Sequence, residues 1–111
     1  VISSSSVIVI AGENGEIWYS SNASNWILAS TAGGSVAATL RDSAYGNSVF
    51  IIVGDSGKIL KSTDGMSWGV ISSPINYDLT GITFDGTWFY AVGDNGVIIR
   101  STYGTVWEDI S

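Results

Sequence analysis

Acidic and polar side chains recur in three short turns, and they are the residues of this chain best suited to bind a ligand or a partner. The pairs are Glu13-Asn14, Asp55-Ser56 and Asp94-Asn95. Each pair is typical of an ordinary hairpin turn. Together they also predict a hydrogen-bonding rim for a sugar or a protein partner, or weak Ca²⁺ ligation through carboxylate and carbonyl oxygens. None of the turns has the spacing of a single-loop calcium site, so no tight metal site is predicted.

Two further groups of residues suggest a role from their positions. Asn76 and Tyr77, followed by Asp78, lie in a polar link, where an exposed aromatic ring beside amides suits stacking on a sugar and equally suits packing between sheets. Asp64 precedes a glycine in a turn and is expected to lock that turn. Three tryptophans stand in equivalent places and are expected to pack between sheets, with glycan stacking as the alternative. They are Trp26, Trp68 and Trp107.

Composition excludes several function classes. The chain has 111 residues, with 4 Lys or Arg against 10 Asp or Glu, and it contains neither Cys nor His. It therefore lacks a thiolate, an imidazole base and a Cys or His zinc site, and no cofactor is expected. The net charge of −6 opposes binding to nucleic acid. The longest apolar runs are too short for a membrane span of about 18 residues, so no membrane insertion is expected.

The candidate residues follow an internal repeat. The stretch Ala11–Ile17 returns as Val53–Ile59 and again as Val92–Ile98, at offsets of 42 and 39 residues. A second motif, which ends in the three tryptophans, keeps the same two offsets. Two independent motifs in one register make chance agreement an inadequate explanation, and they predict a repeat architecture.

Each unit predicts four short antiparallel strands. In the last unit these are Leu79–Phe84, Trp88–Val92, Val97–Ser101 and Val106–Ile110. Aromatic and β-branched residues favour strands, and Asn-Gly or Asp-Gly supplies the positive φ angles of two-residue hairpins. Four strands at a period of about 40 residues are typical of one blade of a β-propeller, with essentially no helix.

The repeat gives the predicted organisation, a single all-β domain over residues 1–111. Blade 1 covers about residues 1–30 with a truncated first strand, blade 2 about 36–72 and blade 3 about 78–111, joined by Thr31–Ser35 and Ser72–Asn76. Just under three blades would leave two sheet faces exposed. We expect a second copy of the chain, a longer polypeptide or a larger assembly to complete the arc.

Two segments resemble known propeller repeats. Ser62–Trp68 is similar to the Asp-box of bacterial neuraminidase repeats, although Asn22 and Tyr103 replace Asp64 in the other two units. Val53–Ile59 resembles the strand-turn-strand that precedes that box in propellers of the photosystem II assembly factor type. The resemblance implies a propeller fold and, as in degenerate repeats of secreted bacterial and phage virion proteins, no enzymatic activity.

These observations predict a non-enzymatic structural or receptor-binding, adhesin-like module of a virion or cell surface. Its expected partners are a second copy of itself, neighbouring structural proteins or a glycan. An assembly-factor-like propeller that docks a protein is the alternative. A fragment of a sialidase-like glycoside hydrolase is the enzymatic alternative, but that family uses three clustered arginines and this chain has only Arg41 and Arg100.

Overall fold

The computed structural model describes residues 2–3, 7–12, 15–31 and 38–111, and the backbone alone at Ser3, Ser30 and Thr31. Within these ranges the chain forms three antiparallel sheets, one for each repeat unit. The all-β prediction is therefore confirmed, and we call the sheets blades 1, 2 and 3. No helix in the described ranges is long and apolar enough to cross a bilayer.

The strands follow one another across each sheet as the repeat predicts. Blade 1 contains β1 (Ile2–Ser3), β2 (Ile8–Ala11), β3 (Ile17–Ser20) and β4 (Ile27–Leu28). Blade 2 contains β6 (Leu40–Gly46), β7 (Val49–Gly54), β8 (Ile59–Ser62) and β9 (Ser67–Ile71), and β5 (Ser30–Thr31) adds to the outer edge of β9 as a parallel strand. Blade 3 contains β10 (Leu79–Phe84), β11 (Phe89–Gly93), β12 (Ile98–Ser101) and β13 (Glu108–Asp109).

Three local features differ from the sequence expectation. The last strand is only Glu108–Asp109, shorter than the predicted Val106–Ile110. Ser30 and Thr31 form a strand beside blade 2, where the end of blade 1 and the start of a link were expected, and residues 32–37 lie outside the described residues. The turns at Asp55–Gly57 and Asp94–Gly96 have the predicted positive φ at two consecutive residues, but each also carries a bulge: Gly54 and Asp55 both bond to Lys58, and Gly93 and Asp94 both bond to Val97.

The middle blade supplies both hydrophobic cores. Every residue of β7 is buried, because the strand has a blade on each side. Val49, Ile51 and Val53 pack in the core shared with blade 3, whereas Phe50 and Ile52 pack in the core shared with blade 1. Side chains of a strand point alternately to opposite faces, so a fully apolar run is what a two-sided strand requires.

Polar side chains also join the blades. The Asn47 amide donates to the backbone oxygens of Thr87 and Thr102, at 3.2 and 2.7 Å. The Asp42 carboxylate accepts from the backbone N–H of Ile82 at 2.9 Å. These bonds satisfy backbone groups of blade 3, and they fix the relative position of blades 2 and 3.

Candidate functional site at the rim

The two turns Asp55–Gly57 and Asp94–Gly96 give the predicted rim its shape. Ser56 and Asn95 have left-handed backbone, with φ of 59° and 60°, and each is followed by a glycine at positive φ. Asparagine tolerates this conformation well and serine less so, which explains a short polar residue at both places. Each turn is closed by a backbone bond, from Lys58 to the Asp55 oxygen in one case. Ser56 and Asn95 are both exposed.

Asp78 joins the two turns. Its carboxylate accepts from the backbone N–H of Ser56 at 2.8 Å, and its backbone oxygen accepts from the N–H of Asp94 at 3.0 Å. The link that carries Asn76 and Tyr77 is therefore held beside both acidic turns. We use "the rim" for this set: Asp55–Gly57, residues 75–78 and Asp94–Gly96.

Arg41 neutralises one of the rim carboxylates. It lies at a β-bulge between Leu40 and Asp42, and its guanidinium makes a two-point ion pair with Asp55. The hydrogen bond with Arg41 lowers the pKa of Asp55, and the same bond together with the Asp55 charge raises the pKa of Arg41. Bidentate pairs of this kind fix orientation as well as charge. The Asp55 carboxylate is therefore occupied by an ion pair that stabilises the rim.

Four predicted rim side chains carry no hydrogen bond within the described residues. They are Asn76, Tyr77, Asp94 and Asn95, all of them exposed. Tyr77 keeps 50% of its surface exposed, so the alternative of a plug between blades does not describe it. Glu13 and Asn14, the equivalent pair in blade 1, lie outside the described residues. Within those residues no three acidic side chains come close enough together to hold a metal ion.

A shallow groove of about 250 Å³ runs along the outer side of the rim in blade 2. Lys58, Ser73 and Asn76 line it together with the exposed side chain of Val70. Its floor is rigid because Gly57 touches the link: a Cβ at Gly57 would lie 2.4 Å from the backbone oxygen of Ile75. The groove offers backbone edges, amides and one cation, which are groups that recognise an extended peptide.

Asp64 lies at the opposite end of blade 2 and serves its own turn. Its Oδ1 accepts from the backbone N–H groups of Met66 and Ser67 and from the Ser62 hydroxyl. The bonds from Met66 and Ser67 lower the pKa of Asp64. In blade 1 the Oδ1 of Asn22 accepts equivalent bonds at 2.9 and 3.0 Å. The turn geometry therefore does not require a negative charge.

Asp64 is expected to make a pH-dependent contribution to the free energy of unfolding. Because its pKa is lower in the folded chain, the ionised group stabilises the fold above its unfolded pKa, and this contribution is lost as pH falls through the folded pKa. We expect Asp64→Ala to cost about 1 kcal/mol at neutral pH, with the charge contribution kept small by exposure, and Asp64→Asn to cost less.

Urea unfolding at several pH values measures both variants of Asp64. The difference in free energy of unfolding between the wild type and Asp64→Asn should become smaller as the pH is lowered. A constant difference across the acid range would contradict the assigned role of the charge.

The three equivalent tryptophans do not have the same surroundings. Trp68 and Trp107 are 2% and 7% exposed, and their indole N–H groups donate to the backbone oxygens of Gly65 and Gly104 at 3.1 and 2.8 Å. Trp26, which the repeat places in an equivalent niche, is 36% exposed. Trp68 packs against blade 1 and Trp107 against blade 2. Trp26 differs because the described chain has no blade on that side.

A solved structure has a similar fold. The chain superimposes on a solved structure described as "YCF48 bound to D1 peptide" with a TM-score of 0.77 and 17% sequence identity. The match covers 96% of this chain and 36% of that one.

The fold is that of part of a β-propeller.

No protein-family model and no curated protein matches the chain. At this identity the likeness extends to the fold and no further. It agrees with the resemblance to propellers of the photosystem II assembly factor type, and the chain spans about a third of the neighbour's length.

Sequence reasoning identified most of the rim but not Arg41. Arg41 lies in β6 and Asp55 in the turn that follows β7, 14 residues later, so only the fold brings them together. The repeat could have indicated Arg41, because its equivalent in blade 3 is Thr80. A cation that is present in one of these two units and absent from the other marks a position with its own role.

Proposed function

We propose that the chain is a non-catalytic propeller module whose rim docks a polypeptide partner through a segment that carries Lys or Arg. One observation carries the proposal: the side chains of Asp94, Asn95, Asn76 and Tyr77 are exposed on one face and have no hydrogen bond to any other described residue. Side chains that the fold does not use, held beside a rigid turn, are available to a partner.

The neighbouring propeller supports a peptide as the ligand class, since its solved structure is described as bound to the D1 peptide. The charge of this chain points to a different peptide chemistry. The net charge is −6, and Arg41 is already paired with Asp55, so within the described residues two rim carboxylates, those of Asp78 and Asp94, have no ion-pair partner. Complementary charge speeds encounter and sets orientation, so a basic segment fits this surface.

The other described carboxylates support a non-catalytic role. Asp64 and Asp85 accept backbone bonds in their own turns, and Asp42 accepts one from Ile82 in blade 3. Glu108 pairs with Arg100, Asp109 bonds Ser111, and Glu16 accepts from the Trp18 indole. Glycoside hydrolysis needs two carboxyl groups about 5–9.5 Å apart that are free to act as acid and as base or nucleophile. Groups committed to turns and ion pairs do not serve that chemistry.

A glycan is the second candidate ligand, and the half-exposed Tyr77 ring beside the Asn76 amide favours it. An aromatic face with adjacent amides is a common way to hold a sugar ring. This candidate belongs with the adhesin-like role at a virion or cell surface, outside the cell, that the composition suggested. It predicts binding to saccharides that is insensitive to peptide charge.

Labelled peptides of matched length and of positive, neutral or negative net charge test the proposal by fluorescence anisotropy. We expect the basic peptide to bind best. Its affinity should fall when salt rises from about 0.05 to 0.5 M, because screening weakens the attraction between the Asp94 carboxylate and the cations of the peptide. Asp94→Asn and Tyr77→Ala should each weaken binding about five-fold, equivalent to about 1 kcal/mol.

Tyr103→Ala is the matched control, since Tyr103 is also an exposed tyrosine but lies in a turn at the opposite end of its blade. It should bind like the wild type. Equal weakening by Tyr77→Ala and Tyr103→Ala, or equal binding of all three peptides, would contradict docking at the rim.

A further inference from the structure

We propose that a cavity between blades 1 and 2 is a binding site for an uncharged saccharide. The cavity lies between the Asn22 turn of blade 1 and the Asp64 turn of blade 2, at the end of the blades opposite the rim. Its volume of about 710 Å³ falls in the range of about 300–1,000 Å³ that small-molecule sites occupy. None of the described residues that line it belongs to the rim, so this proposal is independent of rim docking.

The repeat shows why a cavity forms at this place. Between blades 2 and 3 the equivalent space is filled, because the Lys61 ammonium of blade 2 donates to the Thr105 hydroxyl of blade 3 at 2.6 Å. The equivalents between blades 1 and 2 are Tyr19 and Met66, which do not form that bridge. Tyr19 packs against the core shared by blades 1 and 2, and Met66 is 42% exposed. The space that the lysine bridge fills in one interface therefore stays open in the other.

One wall of the cavity is aromatic. The Tyr45 and Phe50 rings lie 4.6 Å apart between centroids and are tilted by 54°. Phe50 is buried and holds the Tyr45 ring, which keeps 38% of its surface exposed. Tyr19 of blade 1 also lines the cavity. Tyrosine rings supply a large contact area at a low cost in side-chain entropy, and their apolar faces suit the C–H groups of a sugar ring.

The two turns supply polar groups to the same cavity. The side chains of Ser21, Asn25 and Thr63 line it, are exposed and have no hydrogen bond to any other described residue. The Asn22 amide uses its oxygen to accept from the backbone N–H groups of Ser24 and Asn25, which leaves its own N–H groups as donors. Each sugar hydroxyl both donates and accepts, so a mixture of hydroxyls and amides matches a saccharide.

The charge of the lining selects an uncharged sugar. Asp64 is the one charged group among the described residues that line the cavity. The hydrogen bonds from Met66 and Ser67 lower the pKa of Asp64, so its carboxylate is ionised at neutral pH. A sugar that carries a carboxylate, sulfate or phosphate would be repelled and would find no arginine or lysine in this lining. The hydroxyl groups of an uncharged sugar can donate to the same carboxylate.

A peptide fits this cavity less well than a sugar does. Peptides that dock through their main chain add a strand to a free sheet edge. Tyr19 and Phe50 belong to β3 and β7, and each of these strands is already paired on both sides. The cavity therefore offers side chains and turn groups and no edge at these strands, which favours a ligand recognised by its hydroxyl groups and ring faces.

NMR titration of the ¹⁵N-labelled chain with four uncharged disaccharides tests the proposal. The probes are lactose, maltose, cellobiose and N,N′-diacetylchitobiose, each to about 20 mM, which detects dissociation constants in the millimolar range. We expect at least one of them to shift the backbone amides of residues 21–25 and 63–66, while the amides of the rim stay unchanged. The uronic acid form of the sugar that binds best should bind at least about ten-fold more weakly.

Two variants with matched controls locate the sugar. Tyr45→Ala should weaken its binding at least about ten-fold and Asn25→Ala about five-fold. The controls are Tyr77→Ala, at an exposed tyrosine of the rim, and Val106→Ala, at the blade 3 equivalent of Asn25, and both should bind like the wild type. Circular dichroism checks that each variant is folded. Asn25→Ala tests the site independently of Tyr45→Ala, because its side chain has no hydrogen bond to lose within the described residues.

Three results would overturn the proposal. The first is an absence of shifts with all four sugars. The second is weakening by Tyr77→Ala equal to that by Tyr45→Ala, which would place the sugar at the rim. The third is a shift of residues 21–25 and 63–66 with the basic peptide and with none of the sugars, which would make the cavity a peptide site.

Discussion

Gly93→Ala is expected to unfold a large fraction of the protein, although it adds a single methyl group. A Cβ at this position would lie 1.9 Å from the backbone oxygen of Asp78 and 2.9 Å from the Cα of Leu79. Neither backbone segment can move freely, because the Asp78 oxygen also accepts from the N–H of Asp94. The φ angle of Gly93 is −170°, so the effect is steric and not a backbone preference. We expect a loss of about 3 kcal/mol or more.

The repeat supports this expectation, because Gly54 occupies the same position in blade 2. A Cβ there would lie 2.3 Å from the backbone oxygen of Thr39. Gly69→Ala is the control, since a Cβ at Gly69 meets nothing within 4 Å. Urea unfolding followed by tryptophan fluorescence should show Gly93→Ala strongly destabilised and Gly69→Ala near the wild type. Similar midpoints for the two variants would show that the two backbone segments are further apart than described.

Trp68→Ala is expected to be the most damaging core substitution, with a loss of about 3–5 kcal/mol. Trp68 lies in the core between blades 1 and 2, it contacts the Phe50 ring edge to face at 6.2 Å, and its indole N–H donates to Gly65. Removing the ring leaves a cavity and an unpaired Gly65 oxygen. A domain with a total stability of about 5–15 kcal/mol tolerates such a loss poorly.

Trp26→Ala is the matched control, because Trp26 holds the equivalent position in blade 1 but is 36% exposed. We expect it to cost about 1 kcal/mol or less, since its ring is partly in water already. Equal losses of unfolding free energy for the two variants would contradict the different surroundings assigned to the two rings.

Much of the fold follows from local patterns. The β-branched and aromatic residues of β10 and β11 and the glycines in the turns indicate strands and hairpins from a few neighbouring residues, and the repeat offsets order these strands into blades. Features that depend on distant partners were not predictable. The exposure of Trp26 depends on what packs beside blade 1 in the described chain. The strand β5 forms because the outer edge of β9 is available for backbone pairing.

The same distinction applies to the rim. Asp55, Asp94 and Asn76 were found because they recur in turns and links, which local sequence describes well. The paired positive φ angles of the turns were predicted, because a small polar residue followed by Gly specifies them locally. The bulge beside each turn was not, because it depends on the N–H groups of Asp55 and Asp94 donating to Thr39 and Asp78 in the links. Arg41 was missed because its ion pair depends on the pairing of β6 with β7.

The most direct test of rim docking is an NMR titration of the ¹⁵N-labelled chain with the basic peptide. We predict that chemical-shift changes concentrate at the backbone amides of residues 55–57, 75–78 and 94–96, with smaller changes at the Arg41 side chain. The Asp64 and Gly104 turns at the other end of the blades should stay unchanged. Changes that concentrate at those turns, or that spread evenly over the chain, would contradict the proposal that the rim is where this propeller module binds its partner.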